Sequence, residues 1–192
     1  MLIIFIISLK KMEIEETFLK GCYVIKPKVY QDKRGWFLEA FNDQVFAKAT
    51  GVKTIFVQDN LSKSSVGVLR GLHFQTGDSA QAKLVQVIKG KVLDVCVDLR
   101  KNSPTFGKYY SIYLDDKNRK QLYIPRNFAH GFLVLENDTI FSYKCDNYYD
   151  VNSESGIIFN DNTLDIDWNF PEEDMIVSEK DKRLLTIENL FK

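Results

Sequence analysis

Residues 67–85, GVLRGLHFQTGDSAQAKLV, set titratable and amide side chains into an otherwise apolar frame. Val68, Leu69, Leu72, Phe74, Leu84 and Val85 make the frame, and Arg70, His73, Gln75, Gln81 and Lys83 interrupt it. Text of this kind reads as strand, and strands in a small protein bury at least one face. A titratable group carried into that face needs a partner or a ligand, since burying it alone costs several kcal/mol. One of the chain's two histidines stands here, three residues after an arginine and ten before a lysine. Two readings fit: a core histidine with charges at its rim, or a pocket for an anionic substrate with a base inside.

Outward from this stretch the chain keeps the same rhythm. Residues 83–88 and 91–99, joined by Lys89-Gly90, read as a β-hairpin. Further short strands are expected at 109–114, 121–124, 132–135 and 139–145, with a last candidate at 157–159. On the other side lie strands at 23–25, 36–41 and 54–57, with a turn over 31–35. One helix is well signalled: Asn42 can cap it, Val45, Phe46 and Ala49 give its apolar face, and Gly51 ends it. The tail from Ser178 reads as a short helix and a terminal segment. Turns at roughly ten-residue spacing mean an all-β antiparallel sandwich or barrel, not a βαβ fold.

Composition narrows the function. The 192 residues suffice for one buried core, and with 45% hydrophobic residues they should fold as one domain. Lys plus Arg equals Asp plus Glu at 26 each, which argues against a nucleic-acid binder, so any anion site must be local. Cys22, Cys96 and Cys145 are far apart, in no CxxC pattern, and read as reduced packing groups of a cytoplasmic protein. The apolar run 1–9, followed by Lys10 and Lys11, is too short to span a bilayer and lacks the layout of a secretory signal. Residues 1–11 are expected to be an N-terminal extension, disordered or arising from a mis-called start, or else an extra strand packing on a partner subunit. Residues 12–192 then form the single domain.

Several polar residues interrupt the strands. Asp94 shares a face with Cys96 and Asp98 on a period-two pattern, and the second histidine, His130, lies in FAHGF (128–132). A self-satisfied His–Asp pair would be the structural account. Tyr143 and Tyr149 lie in and just after a strand, where tyrosines are commonly core or rim. A metal-holding cupin would need a second histidine where Gln75 stands and a carboxylate shortly after it, and here no Glu follows at short range. No GxGxxG, GxxxxGK[ST] or GxSxG occurs. What remains is acid–base chemistry on a bound anion: histidine as base, tyrosine as acid, lysine near a developing oxyanion, arginine for phosphate.

The blocks 32–39 (DKRGWFLE), 57–62 (VQDNLS), 67–75, 80–85, 95–100, 103–107 (SPTFG), 128–132 and 178–181 (SEKD), in this order, resemble the dTDP-4-dehydrorhamnose 3,5-epimerase family. The resemblance runs from residue 13 to about 185. It implies a double-stranded β-helix (cupin-like jelly roll) with a nucleotide-sugar pocket in the barrel. It also implies a homodimer that exchanges N-terminal strands, and a reaction that needs neither metal nor cofactor. By resemblance, His73 is the base with Asp181 orienting it, and Tyr143 is the acid. Lys83 and His130 lie near the 4-keto oxygen, with Asp94 holding His130. Arg34, Glu39, Gln58, Asp59, Asn60, Arg70, Glu154 and Lys180 match nucleotide-diphosphate and sugar contacts, and Tyr149 matches the ring that stacks on thymine. Some of these contacts would cross the dimer interface. The expected reaction inverts C3 and C5 of dTDP-4-dehydro-6-deoxy-D-glucose. Rivals are a single-centre epimerase on a related ketosugar and a non-catalytic sugar-binding cupin.

Overall fold

Strand β1 (Met12–Glu16) opens the part of the chain that the structure, a computed structural model, describes: residues 12–192. The extension expected over 1–11 lies outside the described residues. After β1 come β2 (Tyr23–Pro27), β3 (Val29–Asp32), β4 (Gly35–Leu38), α1 (Asp43–Thr50), β5 (Gln58–Ser64) and β6 (Val68–Gln75). Next are β7 (Lys83–Lys89), β8 (Lys91–Asp98), β9 (Tyr109–Asp115), β10 (Gln121–Ile124), β11 (Phe128–Val134) and β12 (Thr139–Cys145). Short elements finish the chain: β13 (Glu154–Gly156), β14 (Ile176–Val177) and α2 (Ile187–Leu190).

One sheet has the order β1-β2-β10-β7-β12-β5 and the other β13-β6-β11-β8-β9, with β14 pairing β6 in parallel. From β5 onward the chain mostly crosses between sheets at each turn, the winding of a double-stranded β-helix. Alternation along the strand sorts the side chains of β8 between its two faces. On β8, Val92 and Cys96 join Val85, Val87 and Phe141 of the facing sheet inside the barrel. Leu93, Val95 and Val97 turn outward and are covered by Ile157, Trp168 and Ile187 of the C-terminal third. The outer face of the first sheet is covered by α1 through Phe46, packed on Tyr23, Leu84 and Tyr123. That helix starts and stops as its sequence dictates. The Asn42 side chain accepts from the Val45 N–H at 3.1 Å, and Gly51 closes it at φ 76°.

Four local expectations are corrected. β7 and β8 do not pair as a hairpin: β7 lies between β10 and β12, and β8 between β11 and β9. The Lys89-Gly90 turn reverses the chain but carries it to the other sheet, because turn chemistry sets direction and not the edge that is joined. The strand expected at 54–57 is absent, and β5 begins where that text ends. The strand expected at 36–41 ends at Leu38, in a two-stranded ribbon with β3. At 157–159 only a single bridge, Ile157 to Leu185, forms. The three cysteines are free and buried, with the Cys22 and Cys96 thiols 3.7 Å apart.

Asp98 ends β8 wholly buried and ties down the 99–108 connection. It accepts from Arg100 Nε and Nη2 at 2.8 and 2.7 Å, Ser103 Oγ at 2.6 Å and Thr105 Oγ1 at 2.7 Å. Burial pushes its carboxyl up, but these bonds outweigh it and hold the pKa at about 2. A depressed carboxylate stabilises the fold above its unfolded pKa, and the contribution is lost as pH falls toward 2. The shift corresponds to about 2 kcal/mol. Asp98→Asn should therefore melt well below the wild type at pH 7, with the gap closing toward pH 2. A gap independent of pH would sink this account.

Candidate active site

A cavity of about 670 Å³ opens into the barrel between the two sheets. It gathers Asn60, Arg70, His73, Lys83, His130, Tyr143, Lys180 and Asp181 from the expected set.

The geometry starts with an irregularity in β6. Strict alternation would send Arg70 and His73 to opposite faces. Instead, the β6–β11 register slips between them: His73 pairs with His130, and Arg70 pairs with Phe132. The extra residue is a bulge at Gly71, where φ is 133° and a Cβ would stand 2.5 Å from the Gly131 Cα. Only glycine fits, and the slip brings both the guanidinium and the imidazole to the cavity.

His73 Nε2 lies 2.7 Å from Asp181 Oδ1. The parallel pairing of β14 with β6 returns the C-terminal segment to this wall. Ser178 Oγ then accepts from the Asp181 N–H at 3.0 Å, and the Gly71 N–H donates to Asp181 Oδ2 at 3.3 Å. Burial raises the Asp181 pKa, but the hydrogen bond and charge of His73, with those of Gly71 and Ser178, bring it below the ordinary carboxylate value. An ionised Asp181 accepts the Nε2 proton and leaves Nδ1 as the free lone pair. His130, the direct neighbour across the ladder, sits 2.9 Å from Asp94 Oδ2 on β8.

The facing wall belongs to the other sheet. Lys83 on β7 and Tyr143 on β12 both point inward, with the ammonium 5.9 Å from the phenol ring centre. Desolvation lowers the Lys83 pKa, partly countered by the charges of Cys145, Asp94 and Glu154. Among the described residues the Lys83 ammonium has no hydrogen-bond or ion-pair partner, so it is available to an oxyanion. Burial raises the Tyr143 pKa and keeps the phenol protonated at neutral pH, against a smaller lowering by Arg70.

At the mouth, Glu154 accepts from Tyr149 Oη at 2.9 Å and from Lys180 Nζ. Burial raises the Glu154 pKa, but these two bonds and the charges of Lys180 and His73 hold it below normal. Gln58 links this cluster to the cavity, donating to Asn60 Oδ1 at 3.0 Å and accepting from the Tyr149 N–H at 3.1 Å. Gln58, Tyr149 and Glu154 do not themselves line the cavity but are tied to Asn60 and Lys180, which do, whereas Asp59, Arg34 and Glu39 stand apart from it. Asp59 faces the other side of β5, paired with Lys144 at 2.8 Å. Arg34 sits at the exposed β3–β4 turn, bonded to Asp32, and Glu39 follows that ribbon. Ser178 and Gly71 went unnoticed in the sequence. The Ser-x-x-Asp spacing of 178–181 was the available sign of the first.

The site is thus a cupin-like barrel with a carboxylate-backed imidazole on one wall and, on the other, a phenol beside an ammonium that has no hydrogen-bond or ion-pair partner among the described residues. The arrangement is fitted to acid–base chemistry. The family model described as dTDP-4-dehydrorhamnose 3,5-epimerase matches residues 16–189. A relative of that name from Escherichia coli (strain K12) is 46% identical over 182 residues, covering 94% of this chain and 97% of its own. The solved structure of the Elizabethkingia anophelis NUHP1 dTDP-4-dehydrorhamnose 3,5-epimerase is 54% identical, covers 93% of this chain and 98% of its own, and superposes with TM-score 0.90. That of a dTDP-6-deoxy-D-glucose-3,5-epimerase from Legionella pneumophila Philadelphia 1, in complex with dTDP-4-keto-L-rhamnose, is 43% identical with TM-score 0.89, covering 94% and 95%. The chain belongs to the dTDP-4-dehydrorhamnose 3,5-epimerase family.

Proposed function

We propose that this chain epimerises dTDP-4-dehydro-6-deoxy-D-glucose at C3 and C5 to dTDP-4-dehydro-L-rhamnose, using His73 as base and Tyr143 as acid. The observation that carries the reading is the pairing of these two groups across one cavity, with the Lys83 ammonium beside them, uncommitted among the described residues. The 4-keto group acidifies the hydrogens on both neighbouring carbons. His73, its Nε2 proton held by Asp181, takes one of them at Nδ1. The resulting enolate oxygen meets Lys83 and His130, and one such donor is worth about 3 kcal/mol in an acyl-transfer oxyanion hole. Tyr143 returns a proton from the opposite wall, which inverts the centre. The substrate's own ketone is the electron sink, so the step calls for no metal or coenzyme.

The nucleotide diphosphate is held by Arg70, Asn60, Gln58, Glu154 and Lys180, and the exposed Tyr149 ring stacks on thymine. Arg34, Glu39 and Asp59 act, in this reading, across a homodimer interface whose subunits exchange N-terminal strands. Support comes from the β3–β4 ribbon, which carries Arg34 and leaves Trp36 and Phe37 57% and 68% exposed. Leu61 on β5 and Ile55 in the segment before it are exposed too, and apolar surface of this kind marks an interaction face. The enzyme works in the cytoplasm, on residues 12–192 as one domain; among the described residues no helix is long and apolar enough to cross a membrane.

Proton NMR of the ketosugar in deuterated water tests the reaction. Deuterium should enter at C3 and C5 as the L-rhamno product forms. Exchange at one carbon alone would replace this reading with a single-centre epimerase, and exchange at neither would end it.

A further inference from the structure

Arg70 reaches the cavity without a carboxylate. Among the described residues its guanidinium forms no ion pair, and its hydrogen bonds go to one atom. Nε and Nη2 donate to Ser64 Oγ at 3.4 and 3.3 Å. Ser64 is the last residue of β5 and is buried, opposite Thr139 on β12. It is also the last of an alternating inward row, Gln58, Asn60, Ser62 and Ser64, that has no acidic member. The acid of this strand, Asp59, faces outward onto Lys144.

The choice of a hydroxyl has a physical consequence. A carboxylate would hold the guanidinium more strongly but would neutralise it, and an arginine already paired gains little from a second anion. A free arginine on a flexible stem must lose side-chain entropy when ligand arrives. A neutral acceptor fixes the fork and leaves the full charge to the cavity. We propose that Ser64 is a positioning residue, which pre-orients Arg70 for the diphosphate of the nucleotide sugar while keeping its charge uncompensated. This rests on the nucleoside-diphosphate reading of the cavity.

The test uses the full chain with dTDP as the binding probe and the ketosugar as substrate. Ser64→Ala should weaken dTDP binding and raise KM by about tenfold, as for a lost hydrogen bond to a charged group, with kcat within about twofold. Ser64→Thr, which keeps the acceptor oxygen, should stay within about twofold of the wild type in both. In an Arg70→Ala background, Ser64→Ala should add less than about twofold to the dTDP dissociation constant, since coupled residues are not additive. Unchanged dTDP binding in Ser64→Ala overturns the proposal. So does a full additional loss on top of Arg70→Ala, or a fall in kcat with KM unmoved. Binding of dTDP and turnover of the ketosugar are read separately. A wild type that binds dTDP without epimerising would sink the catalytic reading and leave the role of Ser64 standing, whereas a wild type that does not bind dTDP overturns both.

Discussion

His73→Ala is expected to lower kcat by about 10³-fold, the middle of the range for removing a positioned general base. Exchange of the C3 and C5 hydrogens with deuterated water should stop together with product formation. Affinity for dTDP should stay within a few-fold, because Arg70, Asn60 and the Glu154–Lys180 pair are untouched. The variant also alters Asp181. With the imidazole gone, its carboxyl keeps the burial that raises its pKa and loses the two largest influences that lower it. Asp181 in the variant should therefore titrate higher than in the wild type. A carboxyl one side chain further back does not substitute for Nδ1, since a base must stand within hydrogen-bond reach of the proton it takes. Turnover at the wild-type rate would remove His73 from the mechanism. Loss of dTDP binding alongside turnover would show instead that the variant had lost the cavity.

Much of this site could be read from the chain, and the part that could not has a definite physical origin. Asp94, Cys96 and Asp98 share a face by simple alternation, and β8 keeps that alternation from end to end. The helix over 43–50 announces itself through Asn42 and Gly51, which act within a few residues. β5 was invisible because its inward row is polar: Gln58, Asn60 and Ser62 line or adjoin a cavity instead of a core, so the hydrophobic period fails where the function lies. The β7–β8 hairpin was misread for a different reason. A two-residue turn is local chemistry, whereas the choice of neighbour depends on sheets assembled from segments far apart in sequence. The convergence of Arg70 and His73 depends on the single bulged glycine between them, and the close approach of Gly131 that explains it comes from sixty residues further along. Resemblance supplied the expectation for Arg34 and Asp59. The geometry of one chain leaves both outside its own cavity, which is why their roles are argued through a second copy.

Tyr143→Phe should separate the two halves of the reaction. The substitution removes one oxygen and keeps the ring, its packing on Phe141 at 6.2 Å between centroids and its contact with the Lys83 ammonium. Proton removal by His73 should survive, and so should the enolate held by Lys83 and His130. Return of a proton from the Tyr143 wall should not. Inversion is therefore expected to fall by about 10²- to 10³-fold, while deuterium still enters the starting sugar as His73 returns a solvent-exchanged deuteron to the face it came from. The raised pKa of Tyr143 favours this role: a phenol that stays protonated across neutral pH holds a proton ready whenever the enolate forms. The contrast with His73→Ala is the decisive feature, since one variant should lose exchange and inversion together and the other inversion alone. A phenylalanine variant that inverts at the wild-type rate would assign the acid elsewhere. One that loses exchange as well would make Tyr143 a stabiliser of the enolate, because a residue needed before the carbanion exists cannot act only after it.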